Sequence, residues 1–173
     1  MADQRTKTPV TSDQRARSQP SSDSAREQLI EALNEDLARE YQAIIAYVVY
    51  SQCIKGAAYM SIAAELEKHA TEELNHALII AKQIDYLGGK PTVTSKQVKV
   101  SSDAEEMLRF DLENENETVR NYRERVRQCE AIGEFAMAEH IRQILIDEQE
   151  HQIDLATALG SDVVDVTKDS ERA

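Results

Sequence analysis

The sequence contains no tryptophan, two phenylalanines, two cysteines, three prolines and five glycines in 173 residues. Glycine and proline that far below their usual ~7% and ~5% cannot furnish the turns of a β-sandwich or barrel, and loop-rich folds are excluded with them. The prolines stand at 9, 20 and 91, so 21–90 and 92–173 hold no residue that breaks a helix by lacking its N–H. Cys53 and Cys129 make no disulfide framework. No apolar run reaches the ~18 residues of a membrane span and no signal-like segment opens the chain, so a soluble, cytoplasmic protein is expected. Basic residues are scarce as well: 20 Lys and Arg face 32 Asp and Glu, a net charge of −12. That balance argues against a general nucleic-acid binder and suits a protein that gathers cations. The length fits one domain, and the fold class it indicates is all-α.

Residues 1–23 are rich in Ser, Thr, Gln, Arg and Asp without apolar periodicity, and are expected to be a disordered tail. Five basic residues against three acidic ones give 1–26 a net charge of +2, leaving −14 on the rest. Order is expected from Ser24, where Ser24-Ala25-Arg26-Glu27 reads as a capping box. Helical spacing then runs to about Ile54, with Gly56 as the stop. A second helix is expected from about Ala58 to Leu87, ending on Gly88-Gly89. Segment 90–101, containing Pro91, reads as a long connection. Ser102-Asp103-Ala104-Glu105 reads as another capping box, opening a third helix to about Cys129. Gly133 interrupts the pattern before a fourth helix from about Glu134 to Leu159, ended by Gly160, and 161–173 reads as a tail. Four helices of roughly 26–31 residues are about 40–45 Å long. The outer joints allow only antiparallel hairpins, while the middle one, of roughly 15 residues, can run the length of a bundle.

Each helix carries a Glu in its apolar seam. The seams read Leu33, Leu37, Glu40, Ile44, Tyr47; Ile62, Leu66, His69, Glu73, His76, Ile80, Leu87; Leu108, Leu112, Glu115, Val119, Tyr122, Val126; and Met137, Ile141, Ile144, Glu148, His151, Leu155. One such Glu is ordinarily a surface charge. Four sharing a core need a counter-charge, because each isolated buried carboxylate costs several kcal/mol. Their spacing is ordered: Glu40 to Glu73 and Glu115 to Glu148 are both 33 residues. A shift of 75 maps Asp36, Glu40, Tyr47, Glu73 and His76 onto Asp111, Glu115, Tyr122, Glu148 and His151. Hairpins folded near Gly56 and Gly133 bring each Glu pair to one height, and Glu-x-x-His shares one helical face. Four carboxylates and two neutral imidazoles then form a layer that two divalent ions neutralise. Oxygen-rich sites with two imidazoles suit Fe, Mn or Zn better than Ca or Mg.

At these residues, across about 27–159, the chain resembles the ferritin-like superfamily, and within it the bacterioferritins. The likeness extends to Tyr47, seven residues after Glu40, and to Glu105-Glu106-Met107-Leu108-Arg109 leading through Asp111-Leu112 to Glu115. The resemblance implies a ferritin-like four-helix bundle of two antiparallel hairpins joined by a long crossover. It further implies Glu40 and Glu115 as terminal ligands, Glu73 and Glu148 as bridges, and His76 and His151 as one ligand per iron. The implied activity is ferroxidase: Fe(II) is oxidised by O2 or H2O2 and stored as ferric mineral in a homo-oligomeric cage. Two Fe ions per subunit are expected, with Mn or Zn as alternatives. Bacterioferritins bind haem through a Met, and Leu74, directly after Glu73, offers no thioether, so haem is not expected there. Residues 161–173 make a poor fifth helix. A twelve-subunit shell like that of the starvation-induced Dps proteins is therefore expected over one of twenty-four.

Tyr47 and Tyr122 are read either as packed hydroxyls or as redox or hydrogen-bonding neighbours of the metals. Asp36 and Asp111 are expected to orient the imidazoles of His76 and His151. His69 is read as a packed histidine before an accessory site, and His140 as solvated. Cys53 and Cys129 are expected to be buried thiols at opposite ends of the bundle. DNA binding by 1–26 is not expected, since +2 is feeble beside −14. The competing functions are a rubrerythrin-like peroxidase or manganese catalase without storage, and a Dps-like DNA-protecting assembly.

Overall fold

A computed structural model of the chain describes residues 22–167. Four helices follow one another: α1 (Ser22–Cys53), α2 (Met60–Tyr86), α3 (Ala104–Ala131) and α4 (Phe135–Ala158). A single 3₁₀ turn, Ala57–Tyr59, leads into α2. No strand occurs among the described residues. The fold is an all-α four-helix bundle, and no described helix is long and apolar enough to cross a membrane. The expected tail 1–23 lies outside the described residues apart from Ser22 and Asp23, which are already helical. Helix α1 thus begins two residues before Ser24, and the proposed capping box falls inside its first turn.

The second cap is displaced by one residue. Asp103, not Ser102, is the N-cap of α3 and accepts from the Glu106 N–H at 2.8 Å. Glu106 turns back to Ser101, whose hydroxyl donates to it at 2.5 Å. The Asp103 cap occupies an otherwise unsatisfied N–H of the first turn. At the α3–α4 corner Gly133 takes φ +83°, a conformation that L side chains adopt at a cost, and the Glu134 N–H closes on Cys129 O at 2.9 Å.

The segment between α2 and α3 runs back along α1 in the direction of α1. It is pinned successively by Thr92 N–H to Asn34 Oδ1 (2.7 Å), Lys96 N–H to Ala38 O (2.9 Å), Gln42 Nε2 to Gln97 O (2.9 Å), and the Tyr50 hydroxyl to Lys99 O. Gly89 starts this path by passing against Ile30 and Ile84, where a Cβ would come within 2.5 Å of the Ile30 methyl. The crossover makes α1 and α3 antiparallel, with Asp36 opposite Arg125, Glu40 opposite Tyr122 and Tyr47 opposite Glu115.

The apolar core is split in two. Leu29, Leu33, Leu37, Ile80, Ile84, Met137, Ile141 and Ile144 pack at one end. Tyr50, Ile54, Ile62, Leu66, Met107, Leu108 and Leu155 pack at the other. Each large aliphatic side chain buried there contributes about 1.5–3 kcal/mol, which offsets what the fold loses in the polar layer between them. Cys129 is buried at one end, where burial pushes its thiol up to about 11. Cys53 is exposed, contrary to expectation: as the last residue of α1 it lies where the apolar packing has ended.

Candidate metal centre

Between the two apolar ends, Glu40, Glu73, His76, Glu115, Glu148 and His151 are all at least 98% buried. They fall into two overlapping groups. Glu40, Glu73, His76 and Glu148 each direct one ligand atom to within 4.8 Å of the others, and so do Glu73, Glu115, Glu148 and His151. Glu73 and Glu148 belong to both groups, while Glu40 with His76 and Glu115 with His151 complete one each. Each imidazole turns Nδ1 inward. That of His76 lies 3.2 Å from Glu73, 3.2 Å from Glu148 and 3.5 Å from Glu40; that of His151 lies 3.0 Å from Glu73 and 3.6 Å from Glu148.

The inward atoms are poorly satisfied by protein alone. Glu40 Oε2, Glu73 Oε1, both Glu148 oxygens and His151 Nδ1 are buried without a hydrogen-bond partner. Such groups are rare in native interiors and mark a place where something else binds. A cavity of about 10 Å³ lined by Glu40, Glu73, Glu115 and Glu148 opens between α1 and α3 beside Arg39, Asn114 and Thr118. The donor set fits two small dications, since four carboxylates supply −4 and neutral imidazoles nothing.

Without such ions the layer balances its charge with protons. Burial, reinforced by Glu73 and Glu148, holds the carboxyls of Glu40 and Glu115 well above their usual range. Burial lowers the imidazoles, but the carboxylates of Glu148, Glu73 and their neighbours close to Nδ1 outweigh it, raising His76 strongly and His151 to about 12. Burial also opposes ionisation of Glu73, yet the adjacent imidazoles of His151 and His76 bring it below its ordinary value, and Glu148 is lowered as well.

The outer faces of both rings are held by groups that the sequence pattern did not single out. His76 Nε2 lies 3.1 Å from Asp147 Oδ2, and His151 Nε2 lies 3.0 Å from Glu72 Oε2. These carboxylates, each contributed by the helix facing the histidine, fix which nitrogen points inward. Asp36 and Asp111 do not have that role. Asp36 receives Arg125 Nε at 2.6 Å and Nη2 at 3.4 Å; Asp111, whose carboxyl burial and Glu73 push well above its usual range, leaves Oδ2 without a partner. The signal was present in the repeat, because the shift of 75 that maps Glu73 onto Glu148 also maps Glu72 onto Asp147.

Tyr47 and Tyr122 are fully buried and bond crosswise. The Tyr47 hydroxyl donates to Glu115, and that of Tyr122 donates to Glu40. Burial and the neighbouring carboxylates push both phenols well above 10, so they remain donors. His69 is buried, with its ring stacked on His151 at 4.1 Å. His140 is exposed.

Residues 30–162 match the Ferritin-like domain family. The chain belongs to the ferritin-like family. At the level of that family its chemistry is iron oxidation and storage. This ferritin-like chain is 25% identical over 141 residues to the bacterioferritin of Brucella melitensis, covering 78% of this chain and 88% of that one. It is 29% identical to the bacterioferritin of Desulfovibrio desulfuricans, over 71% and 69%. Among solved structures it superimposes on a ferritin-like, diiron-carboxylate protein from Bacillus anthracis with TM-score 0.75 and 33% identity, covering 78% of this chain and 97% of that one. A dodecameric thioferritin, the bacterioferritin-related protein of Bacteroides fragilis, gives TM-score 0.72 and 26% identity over 84% and 90%.

Proposed function

We propose that the protein is a ferroxidase that binds two Fe(II) per subunit in the buried layer, oxidises them with O2 or H2O2, and stores the product in a closed homo-oligomer. The observation that carries this reading is the pair of four-residue groups sharing Glu73 and Glu148. Two ions held that closely deliver two electrons together, which takes O2 to hydrogen peroxide or H2O2 to water. Glu40 with His76 holds one ion and Glu115 with His151 the other, while Glu73 and Glu148 touch both. Asp147 and Glu72 orient the imidazoles. Tyr47 and Tyr122 hold Glu115 and Glu40 in place through one oxygen, leaving the other carboxylate oxygen for the ion. Mn or Zn suits the same donors, and the family relationship favours Fe.

Two features support assembly. Ile45, Val48, Leu74 and Leu78 are exposed apolar side chains on α1 and α2, with Val48 and Leu74 lining one groove; such patches mark association surfaces. The Bacteroides fragilis neighbour is dodecameric, which favours a shell of twelve. The net −14 from Glu27 onward would draw Fe(II) toward such a shell, less strongly as salt rises. Leu74 supplies no ligand for haem.

Light scattering on the purified protein, with iron analysis of the same fractions after aerobic Fe(II) addition, tests the storage claim. A particle near twelve subunits retaining far more than two irons per subunit is expected. A monomer or dimer holding two or fewer removes storage and leaves a rubrerythrin-like or manganese-catalase chemistry.

A further inference from the structure

The two halves of the bundle are not equivalent around the centre. The shift of 75 that relates all six donors places Ile144 opposite His69, so nothing in the dinuclear arrangement requires an imidazole at 69. His69 is nevertheless buried to 1% exposure. Its Nε2 reaches Asp154 Oδ2 on α4 at 3.2 Å, and its Nδ1 is buried with no hydrogen-bond partner. A merely packed histidine would satisfy both nitrogens, since an unpaired buried polar atom is costly.

Two carboxylates converge on this ring from the bundle surface. Glu65, Asp154 and His69 each place one ligand atom within 4.8 Å of the others, and the two carboxylate side chains are 47% and 38% exposed. On the inner side, His69 forms a second such group with Glu72 and His151. Lys68, 62% exposed, lies 3.7 Å from Glu65 and 3.8 Å from Glu72. The positions equivalent to Glu65 and Asp154 in the other half are His140 and Ile79, which cannot build a matching set.

We propose that Glu65, His69 and Asp154 form a third divalent-cation site, through which cargo passes between the α2–α4 surface and the His151 end of the centre. Two carboxylates and one imidazole with solvent-facing positions left open suit a borderline first-row dication held loosely. The ring of His69, stacked on His151, is the one side chain common to the outer and inner groups. Cargo exchange is consequently one-sided: the His151 position has this neighbour and the His76 position does not. The direction of travel rests on the dinuclear reading; the existence of the third site does not.

Calorimetric titration of the full-length, metal-free protein with Zn(II) alone tests it. The wild type should bind three ions per subunit, two tightly and one more weakly. His69→Ala, Asp154→Asn and Glu65→Gln should each lose the weak one and keep two. The last two substitutions alter half-exposed side chains and leave the fold intact if His69→Ala does not. Glu73→Ala should lose tight binding and retain the weak ion. Equal counts in the wild type and all three surface-side variants overturn the third site while leaving the centre standing. Loss of nothing in Glu73→Ala overturns the centre, and the weak ion is then judged by the other three variants alone.

Discussion

Replacing Glu73 or Glu148 by Ala is expected to abolish rapid Fe(II) oxidation while leaving the helices intact. Each carboxylate belongs to both donor groups, so either change removes a ligand from both ions and one negative charge from a layer that must neutralise two dications. Losing a bridge costs several kcal/mol of charge stabilisation, on the order of 100-fold or more in rate. Each side chain is at least 99% buried; its removal relieves repulsion among the carboxylates but also takes a partner from His76 and His151, so the metal-free variant should be less stable yet still helical. Stopped-flow oxidation at two Fe(II) per subunit, with far-UV circular dichroism as the folding control, reads the effect. Wild-type rates in both variants would sink the dinuclear assignment.

The second large effect is in protons. The metal-free layer keeps Glu40 and Glu115 neutral and His76 and His151 charged, whereas two dications require the carboxylates ionised and the imidazoles neutral. Loading with Zn(II) near neutral pH should therefore release about four protons per subunit, measurable by pH-stat or by calorimetry in buffers of different ionisation enthalpy. All four groups bind protons more tightly folded than unfolded. Their contribution to metal-free stability is present below the unfolded values of 4.5 for the carboxyls and 6.5 for the imidazoles. It is lost as pH rises through the folded values, about 12 for His151. The rise in Tm on adding Zn(II) should accordingly grow between about pH 5 and pH 8. Release of one proton or none, or a Tm shift that shrinks with pH, contradicts this balance.

The elements and the central layer were legible in the sequence because both rest on local periodicity. Apolar residues at helical spacing, glycines at 56, 88–89, 133 and 160, and a Glu at the same height in each seam define four helices and one polar stratum. What escaped lies off the seam. Glu72 and Asp147 sit one residue before the seam carboxylates, about 100° around the helix, and only the packing of α2 against α4 shows that they meet the opposite imidazoles. Asp36 lies one turn from Glu40, a spacing that suggests a histidine partner. The antiparallel register of α1 and α3 instead sets it against Arg125, a residue whose repeat counterpart is Tyr50 and which internal symmetry therefore could not suggest. The same register explains the tyrosines: seven residues separate Tyr47 from Glu40, yet its hydroxyl serves Glu115 on the facing helix. Residue type alone suggests an interior place for Cys53, and the end of α1 leaves it outside.

The central claim is that two ions share Glu73 and Glu148. Anomalous X-ray diffraction from crystals soaked in Fe(II) anaerobically, or in Zn(II), tests it most directly. Two peaks per subunit are predicted inside the bundle, about 3.5–4 Å apart, one beside Glu40 and His76 and the other beside Glu115 and His151, both within bonding distance of Glu73 and Glu148. A single peak there, or peaks only on the bundle surface, would contradict it.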